Sequence, residues 1–311
     1  MDKLLDKYVT YLKAERNFSP FTVRNYSSDI LGFFGFLRQE GGTSLEGIDH
    51  LTVRRYMGSL LENGVVRGSI SRKMSALRSF FRYLNQQGLI ATDPMTKVSG
   101  LKGEKRLPNF LTSEEILRLL SAPDTTTPQG LRDRAILELL YAAGLRVSEI
   151  TSLDIGSVDL GTCQVRVWGK GSKERITLIG KPAAGALEQY LGCGRPKLLG
   201  QKDTKALFLN RFGDRIAERR IQYIIKEYAK RAGINGRVHP HMLRHTFATH
   251  MLDGGADLRV VQELLGHASL SSTQIYTHVT TSQMRSRYLE AHPRSQDEKK
   301  AVKHPEEPKR I

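Results

Sequence analysis

The sequence contains few of the residues on which several common classes of protein depend. Only two cysteines, Cys163 and Cys193, occur in 311 residues, which gives no framework for disulfides or for a cysteine-based zinc site. No apolar run approaches the ~18–20 residues that a helix needs to cross a bilayer. The N-terminal residues are charged where a secretory signal needs an apolar core. These absences predict a cytoplasmic protein with no membrane partner.

Acidic residues are also scarce relative to basic ones. The chain has 48 Lys and Arg against 32 Asp and Glu, a formal net charge of +16. Such an excess indicates a polyanionic partner, most often nucleic acid. The carboxylates that are present do not cluster convincingly. Asp154 and Asp159 are the best candidates for the clustered carboxylates that a two-metal nuclease needs, and they do not form a convincing cluster.

Hydrophobic patterning divides the chain into four segments. Residues 1–98 have apolar positions at helical spacing throughout and predict an all-helical domain. Residues 99–109 are polar, basic and glycine-bearing, which is typical of a linker. Residues 110–294 combine helical patterns with two short β-rich runs around a glycine-bearing turn, and residues 295–311 are charged and predict a disordered tail. The predicted fold class is mainly α with a small antiparallel β-sheet.

One predicted helix of the first domain, at residues 69–85, has a basic side. Almost no acidic residue lies among its cations, so their mutual repulsion is uncompensated along the sequence. Phosphates would compensate that repulsion. We therefore expect five residues to bind DNA: Arg67, Arg72, Lys73, Arg78 and Arg82.

The second domain concentrates arginine, histidine and tyrosine between residues 239 and 276. Arginine is a permanent cation that binds oxyanions through paired donors, and histidine transfers protons near neutral pH. Tyr276 offers a phenolic oxygen that can attack. This combination indicates attack on a phosphate by a tyrosine, with Arg146 and Arg244 as the stabilising cations. Lys170, on the glycine-bearing turn, is a candidate proton donor to the departing oxygen.

Other interpretations of these residues remain open at this point. His241 and His245 have the i,i+4 spacing of a zinc site, but Met242 stands where the general-base glutamate of such a site belongs. The turn around Lys170 lacks the glycine spacing of a nucleotide-binding loop. Each candidate also has a structural explanation when taken singly. Arg146, for example, can pair with Glu149 on one helix face.

Five motifs, taken in order, closely resemble the signature of the tyrosine recombinases. They are GLRVSE at 144–149, GKGSKER at 169–175, HPHMLRH at 239–245, LLGH at 264–267 and TQIYTH at 273–278. The motif sequences most resemble those of the Xer branch, and YLEAHPR at 288–294 is similar to the C-terminal segment of that branch. The likeness covers residues 2–294.

The resemblance implies a helical core-binding domain followed by a mixed α/β catalytic domain. The two arginines would clamp the scissile phosphate, the histidines would assist proton transfer, the lysine would protonate the leaving 5′ hydroxyl, and the tyrosine would form a 3′-phosphotyrosyl bond. That bond conserves the phosphodiester energy, so we expect no cofactor, neither metal nor ATP. The catalytic positions would be Arg146, Lys170, His241, Arg244, His267 and Tyr276.

The resemblance also implies the partners of the protein. Double-stranded DNA would be held by a homotetramer, or by a heterotetramer with a second recombinase, and a septal DNA translocase is a candidate activator. Residues 282–290 would pack into a neighbouring protomer. The chain starts directly with the helical domain, so we expect a Xer-type resolver of chromosome or plasmid dimers, acting in chromosome partition and cell division. An integrase of a mobile element and a non-catalytic architectural DNA-binding protein remain as alternatives.

The surplus of basic residues predicts that DNA binding depends steeply on salt. Affinity should fall by about 10³–10⁵ between about 50 and 200 mM salt if roughly 6–10 phosphates are contacted. Fluorescence anisotropy with a labelled duplex measures the affinity at each salt concentration. A flat response would contradict the basic surface proposed for the first domain.

Overall fold

The computed structural model describes residues 1–41, 47–99, 110–168, 174–236, 238–266 and 281–294, with the backbone alone at 281–283. The chain divides into two compact units, Met1–Leu107 and Pro108–Ile311. The predicted linker at 99–109, apart from Ser99, and the predicted tail at 295–311 lie outside the described residues. Both segments stay predictions.

In its described part, the first unit is a bundle of helices around an aromatic core. Ser19 caps the second helix because its hydroxyl accepts a hydrogen bond from the amide of Thr22, and Pro20 occupies the first helical position, as the sequence predicts. The core contains the fully buried rings of Tyr8, Phe33, Phe34, Phe80 and Phe81. The helices are α1 (Asp2–Ala14), α2 (Pro20–Gln39), α3 (His50–Glu62) and α4 (Arg67–Gln86).

Helix α4 carries the five predicted DNA-binding cations, but two of them have an acidic partner within the unit. Asp29 of α2 is only 1% exposed and forms ion pairs with both Arg72 and Lys73. The expectation of uncompensated repulsion is therefore wrong for these two residues. The sequence conceals this pairing because the carboxylate comes from another helix.

The other three cations of α4 differ in their surroundings. Arg78 is partly buried, and its guanidinium donates to the carbonyl of Val98 at 3.4 Å. Arg67 and Arg82 are exposed. These two, with the half-exposed Arg72, are the members of the set that present charge to solvent.

The second unit surrounds a long helix with shorter helices and a three-stranded sheet. The strands are antiparallel in the order β1 (Val158–Asp159), β2 (Gln164–Trp168) and β3 (Glu174–Leu178), and Trp168 pairs with Glu174 at the turn. Outside the sheet, Leu209 forms an isolated bridge with Arg215. The predicted fold class, mainly α with a small antiparallel sheet, is confirmed.

The first helix of the second unit begins with a capping box, in which Thr112 and Glu115 bond each other's backbone amides. A 3₁₀ turn spans Ile155–Ser157, and a π-helical segment, Tyr190–Gly194, joins two helices. No helix in the described part of the chain is long and apolar enough to cross a membrane. The helices are α5 (Ser113–Ser121), α6 (Pro128–Ala143), α7 (Val147–Ser152), α8 (Lys181–Gln189), α9 (Arg195–Leu199), α10 (Glu218–Arg231), α11 (Pro240–Asp253), α12 (Leu258–Leu265) and α13 (Thr281–Ala291).

Helix α6 is buried along most of its length and ends at Gly144, which adopts a left-handed conformation with φ +57°. A Cβ atom there would lie 2.6 Å from Cδ1 of Phe247 and 2.8 Å from Cδ2 of Leu265. Glycine is thus required both by the backbone angle and by the close approach of α11 and α12. This turn leads the chain directly into the segment that contains Arg146.

Helix α13 packs within its own chain, against α6 and α11. Tyr288 is 1% exposed, and its hydroxyl donates to the carbonyl of Ala142 at 3.0 Å. Arg294, just beyond the helix, forms an ion pair with the buried Glu138 of α6 at 3.0 Å. In the single chain, Tyr288 and Ala291 of α13 are buried internally, and the implied packing of residues 282–290 into a neighbouring protomer stays a prediction.

Substitution of Gly254 should detach the end of α13 without unfolding the unit. The backbone of Gly254 suits alanine, but a Cβ would lie 2.0 Å from the carbonyl oxygen of Ala291. Gly254→Ala should therefore make the arginines of α13 more sensitive to trypsin. Gly185→Ala is the matched control, since an added Cβ meets nothing within 4 Å in α8, and the change should stabilise by about 0.4–1 kcal/mol. Equal proteolysis of both variants would contradict the internal docking of α13.

Candidate active site

The site is built around the buried carboxylate of Glu149, which is 3% exposed. Glu149 is the third residue of α7, so its side chain reaches back to the start of the helix and accepts the amide of Arg146 at 2.9 Å. The guanidinium of Arg146 donates to the same carboxylate at 2.8 Å, which confirms the predicted pairing. The side chain of Arg146 is 38% exposed and so remains accessible to a ligand.

A second arginine, Arg175 of β3, binds the same carboxylate in a bidentate manner. Its two terminal nitrogens lie 2.8 and 2.9 Å from the two oxygens of Glu149. Its Nε donates to the carbonyl of Leu264, near the end of α12, at 3.3 Å. The interaction joins the strand that follows the predicted Lys170 turn to the helix that precedes His267.

Arg244 of α11 is held by backbone carbonyls. It is 9% exposed, and its terminal nitrogens donate to the carbonyl of Gly144, at 2.6 Å, and to the carbonyl of Leu265. Gly144 precedes Arg146 by two residues, so the first contact links the two predicted phosphate-binding arginines. The second contact fixes the end of α12.

The charges of this cluster shift one another's pKa values. Burial, followed by the charge of Arg146, lowers the pKa of Arg244 to about 10, so the side chain is still cationic at neutral pH. Burial alone would raise the pKa of Glu149, but hydrogen bonds from Arg175 and Arg146 hold that pKa below its ordinary value. One ionised carboxylate therefore faces three arginines, and the cluster carries surplus positive charge.

His241 lies at the exposed start of α11, three residues before Arg244, so the two are neighbours on the helix surface. His239 caps this helix by accepting the amide of Met242 at 3.2 Å on Nδ1. His250, farther along α11, is buried, contacts the hydroxyl of Tyr141 at 2.9 Å and has its pKa lowered by burial. His239 thus caps α11, and His250 packs in the interior of the unit.

Three of the six predicted catalytic residues, Lys170, His267 and Tyr276, lie outside the described residues. Their described neighbours are nevertheless in place. β2 ends at Trp168, just before the Lys170 turn, and Gly266, with φ +65°, ends α12 just before His267. The structure brings together Arg146 and Arg244, with His241 beside Arg244.

The sequence reasoning missed the part played by Arg175. A signal for it exists in the alternation of β3, where Glu174 and Ile176 are exposed while Arg175 and Thr177 face inward. An inward-facing arginine needs a buried acceptor. The acceptor is Glu149. The sequence does not point to it, because Glu149 is already predicted to pair with Arg146.

Comparison with known proteins decides the family. The model of the phage integrase family matches residues 109–283, and that of the phage integrase N-terminal SAM-like domain matches residues 5–88. The chain belongs to the phage integrase family. Within it, the chain is a tyrosine recombinase of the Xer type, a DNA strand breaking-and-rejoining enzyme, and the resemblance found in the sequence is confirmed.

The similarity extends over nearly the whole recombinase. Tyrosine recombinase XerC of Oceanobacillus iheyensis is 46% identical over 301 residues, which cover 96% of this chain and 99% of the relative. Tyrosine recombinase XerD of Staphylococcus epidermidis is 41% identical over 295 residues, covering 95% and 100%. Among solved structures, XerH recombinase bound to a palindromic difH substrate shares the fold, with a TM-score of 0.69 and 22% identity over 96% of this chain and 83% of that one.

Replacement of Glu149 by glutamine should destabilise the second unit of the recombinase. Removal of one partner from a buried ion pair costs about 3–5 kcal/mol. The lowered pKa means that the carboxylate stabilises the fold above its ordinary pKa of 4.5, and that this stabilisation is lost as pH falls through the folded-state value. Urea unfolding of wild type and Glu149→Gln should therefore differ strongly at pH 7 and converge at acidic pH. A difference that is constant across pH would show that the charge of Glu149 is not responsible.

Proposed function

We propose that the recombinase cuts and rejoins DNA at a specific site through a 3′-phosphotyrosyl bond to Tyr276, with Arg146 and Arg244 holding the scissile phosphate. The observation that carries this proposal is the cluster of three arginines around the single carboxylate of Glu149. Its surplus positive charge suits a phosphodiester, which is anionic and gains further negative charge in the transition state. A charge-assisted hydrogen bond to such a group contributes about 1.5–3 kcal/mol.

Preorganisation makes these cations effective. Arg146 is oriented by Glu149, and Arg244 is oriented by the carbonyls of Gly144 and Leu265. Neither side chain has to become ordered when DNA binds, because both lose their conformational freedom during folding. Loss of one preorganised donor to a developing oxyanion typically lowers the rate by about 10²–10³.

The chemical step would exchange one phosphodiester bond for another. The oxygen of Tyr276 attacks phosphorus, the bond from phosphorus to the 5′ oxygen breaks, and Lys170 gives that oxygen its proton. Tyrosine has an ordinary pKa near 10, so only about one molecule in a thousand is ionised at neutral pH. His241 and His267 would assist removal of the phenolic proton and contact the phosphate. Attack by a 5′ hydroxyl then reverses the step without ATP.

We further propose that the substrate is double-stranded DNA in a synaptic tetramer, and that the product is a resolved chromosome or plasmid dimer. Support comes from the similarity to both XerC and XerD, which leaves a homotetramer and a heterotetramer with a second recombinase as the two forms. A septal DNA translocase is the proposed activator. The first unit would contact the duplex through the cations of α4. The exposed Arg67, Arg72 and Arg82 would contribute more to this contact than the partly buried Lys73 and Arg78.

The proposal predicts a covalent complex that depends on a single hydroxyl. On a nicked suicide substrate, the wild type should form a denaturant-resistant protein–DNA complex in the presence of EDTA, and Tyr276→Phe should form none. Tyr223→Phe is the matched control, because Tyr223 is a 56% exposed tyrosine of α10. This variant should retain full activity. Denaturing gel electrophoresis measures the complex.

Two results would overturn this mechanism. One is a covalent complex that persists in Tyr276→Phe, which would place the nucleophile elsewhere. The other is a strict requirement for magnesium, which would assign to a metal the charge stabilisation proposed for Arg146 and Arg244.

A further inference from the structure

Arg175 joins three segments of the site, as Arg244 does. It lies on β3, which follows the predicted Lys170 turn, and contacts Glu149 of α7 and the carbonyl of Leu264 at the end of α12. Its side chain is 14% exposed. Strand β3, the Arg146 segment and the end of α12 thus meet at one guanidinium.

We propose that Arg175 is a positioning residue for phosphoryl transfer, acting through Glu149 on Arg146 and through the carbonyl of Leu264 on the end of α12. It does so without contacting DNA. The inference rests on the proposed function, since it concerns the geometry of the same site.

The first step is the effect of Arg175 on Glu149. The carboxylate accepts from Arg146 and from Arg175, and a bidentate arginine fixes the plane of a carboxylate as well as its position. The oxygen that binds Nη1 of Arg146, at 2.8 Å, is the same one that binds Nη1 of Arg175, also at 2.8 Å. Rotation of the carboxylate would therefore move the guanidinium of Arg146 away from its place.

The second step is the effect of Arg175 on α12. Two consecutive carbonyls at the end of this helix accept from two arginines, Leu264 from Arg175 and Leu265 from Arg244. The next residue is Gly266, where a Cβ would lie 2.9 Å from both Cδ and Nε of Arg175. The backbone at Gly266 thus passes directly over the Arg175 side chain, and glycine permits the approach.

Arginine is required here by its shape rather than by its charge alone. A lysine has one nitrogen and cannot serve both carboxylate oxygens in a plane and a carbonyl on another element. Arg175→Lys keeps the charge but loses this geometry, whereas Arg175→Gln loses both. The two variants therefore separate positioning from simple charge compensation.

The test measures cleavage of the nicked substrate at saturating DNA, together with DNA affinity. Misplacement of a reacting group by about 1 Å costs about 10²-fold in rate, so we expect both variants to lose about that much, with Arg175→Lys recovering little. The affinity should stay within about two-fold, because other contacts of the arginine cluster and of the first unit hold the DNA. Rates are expressed per DNA-binding-competent molecule, which removes any unfolded fraction.

Arg195→Gln is the control for stability. Arg195 is 7% exposed in the same unit, and its guanidinium donates to the carbonyls of Thr204 and Ala206, neither of which belongs to the arginine cluster. Its loss should lower the urea midpoint as much as the loss of Arg175 does. It should leave the cleavage rate of folded molecules unchanged.

A double-mutant cycle identifies the route of the effect. If Arg175 acts largely through Glu149, then Arg175→Gln in a Glu149→Gln background should slow cleavage far less than it does in wild type. Full additivity would overturn the proposed route, and wild-type cleavage by Arg175→Lys would overturn the geometric claim. A loss that appears only in affinity would make Arg175 a binding residue and overturn the proposal. If the wild type itself forms no covalent complex, the proposed function fails instead.

Discussion

The positions of Arg146 and Arg175 depend on the hydrogen bonds that saturate one buried carboxylate. Burying an ionised glutamate is unfavourable unless its oxygens are fully paired, and Glu149 receives two guanidinium groups and a backbone amide. The same pairing keeps the glutamate charged near neutral pH. It also brings Arg146 and Arg175 close to each other and to Arg244, an arrangement that their repulsion would otherwise oppose. Stability and the capacity to bind an anion thus have a common origin.

The fold supplies this interaction from segments that are distant in sequence. Residues 144–149 arrive by a left-handed glycine at the end of α6, Arg175 arrives on a β-strand, and the carbonyl end of α12 completes the arrangement. None of these segments forms the cluster alone, because no segment supplies all of its groups. The site therefore forms only when the second unit folds. The helix caps within these segments serve mainly to orient them.

Local interactions were predictable from the sequence, whereas interactions between elements were not. The caps at Ser19 and Thr112, the β-hairpin and the Arg146–Glu149 pair all depend on residues a few positions apart. The pairing of Asp29 with α4 and the contacts of Arg175 join residues that are at least 26 positions apart in the sequence. The charge pattern of α4 did not predict the pairing with Asp29, and no pattern in the sequence predicted the contacts of Arg175. Motif resemblance found the family because motifs are local, but it does not contain the geometry that joins them.

A crystal structure of the covalent complex on a nicked duplex would test most directly the central claim, that Arg146 and Arg244 bind the phosphate while Arg175 holds Glu149. The account predicts that both of the former lie within hydrogen-bond distance of oxygens on the phosphate joined to Tyr276. Arg175 should remain bidentate on Glu149 and should contact no DNA atom. A phosphate bound by Arg175, or an Arg146 side chain turned away from the phosphate, would contradict the account.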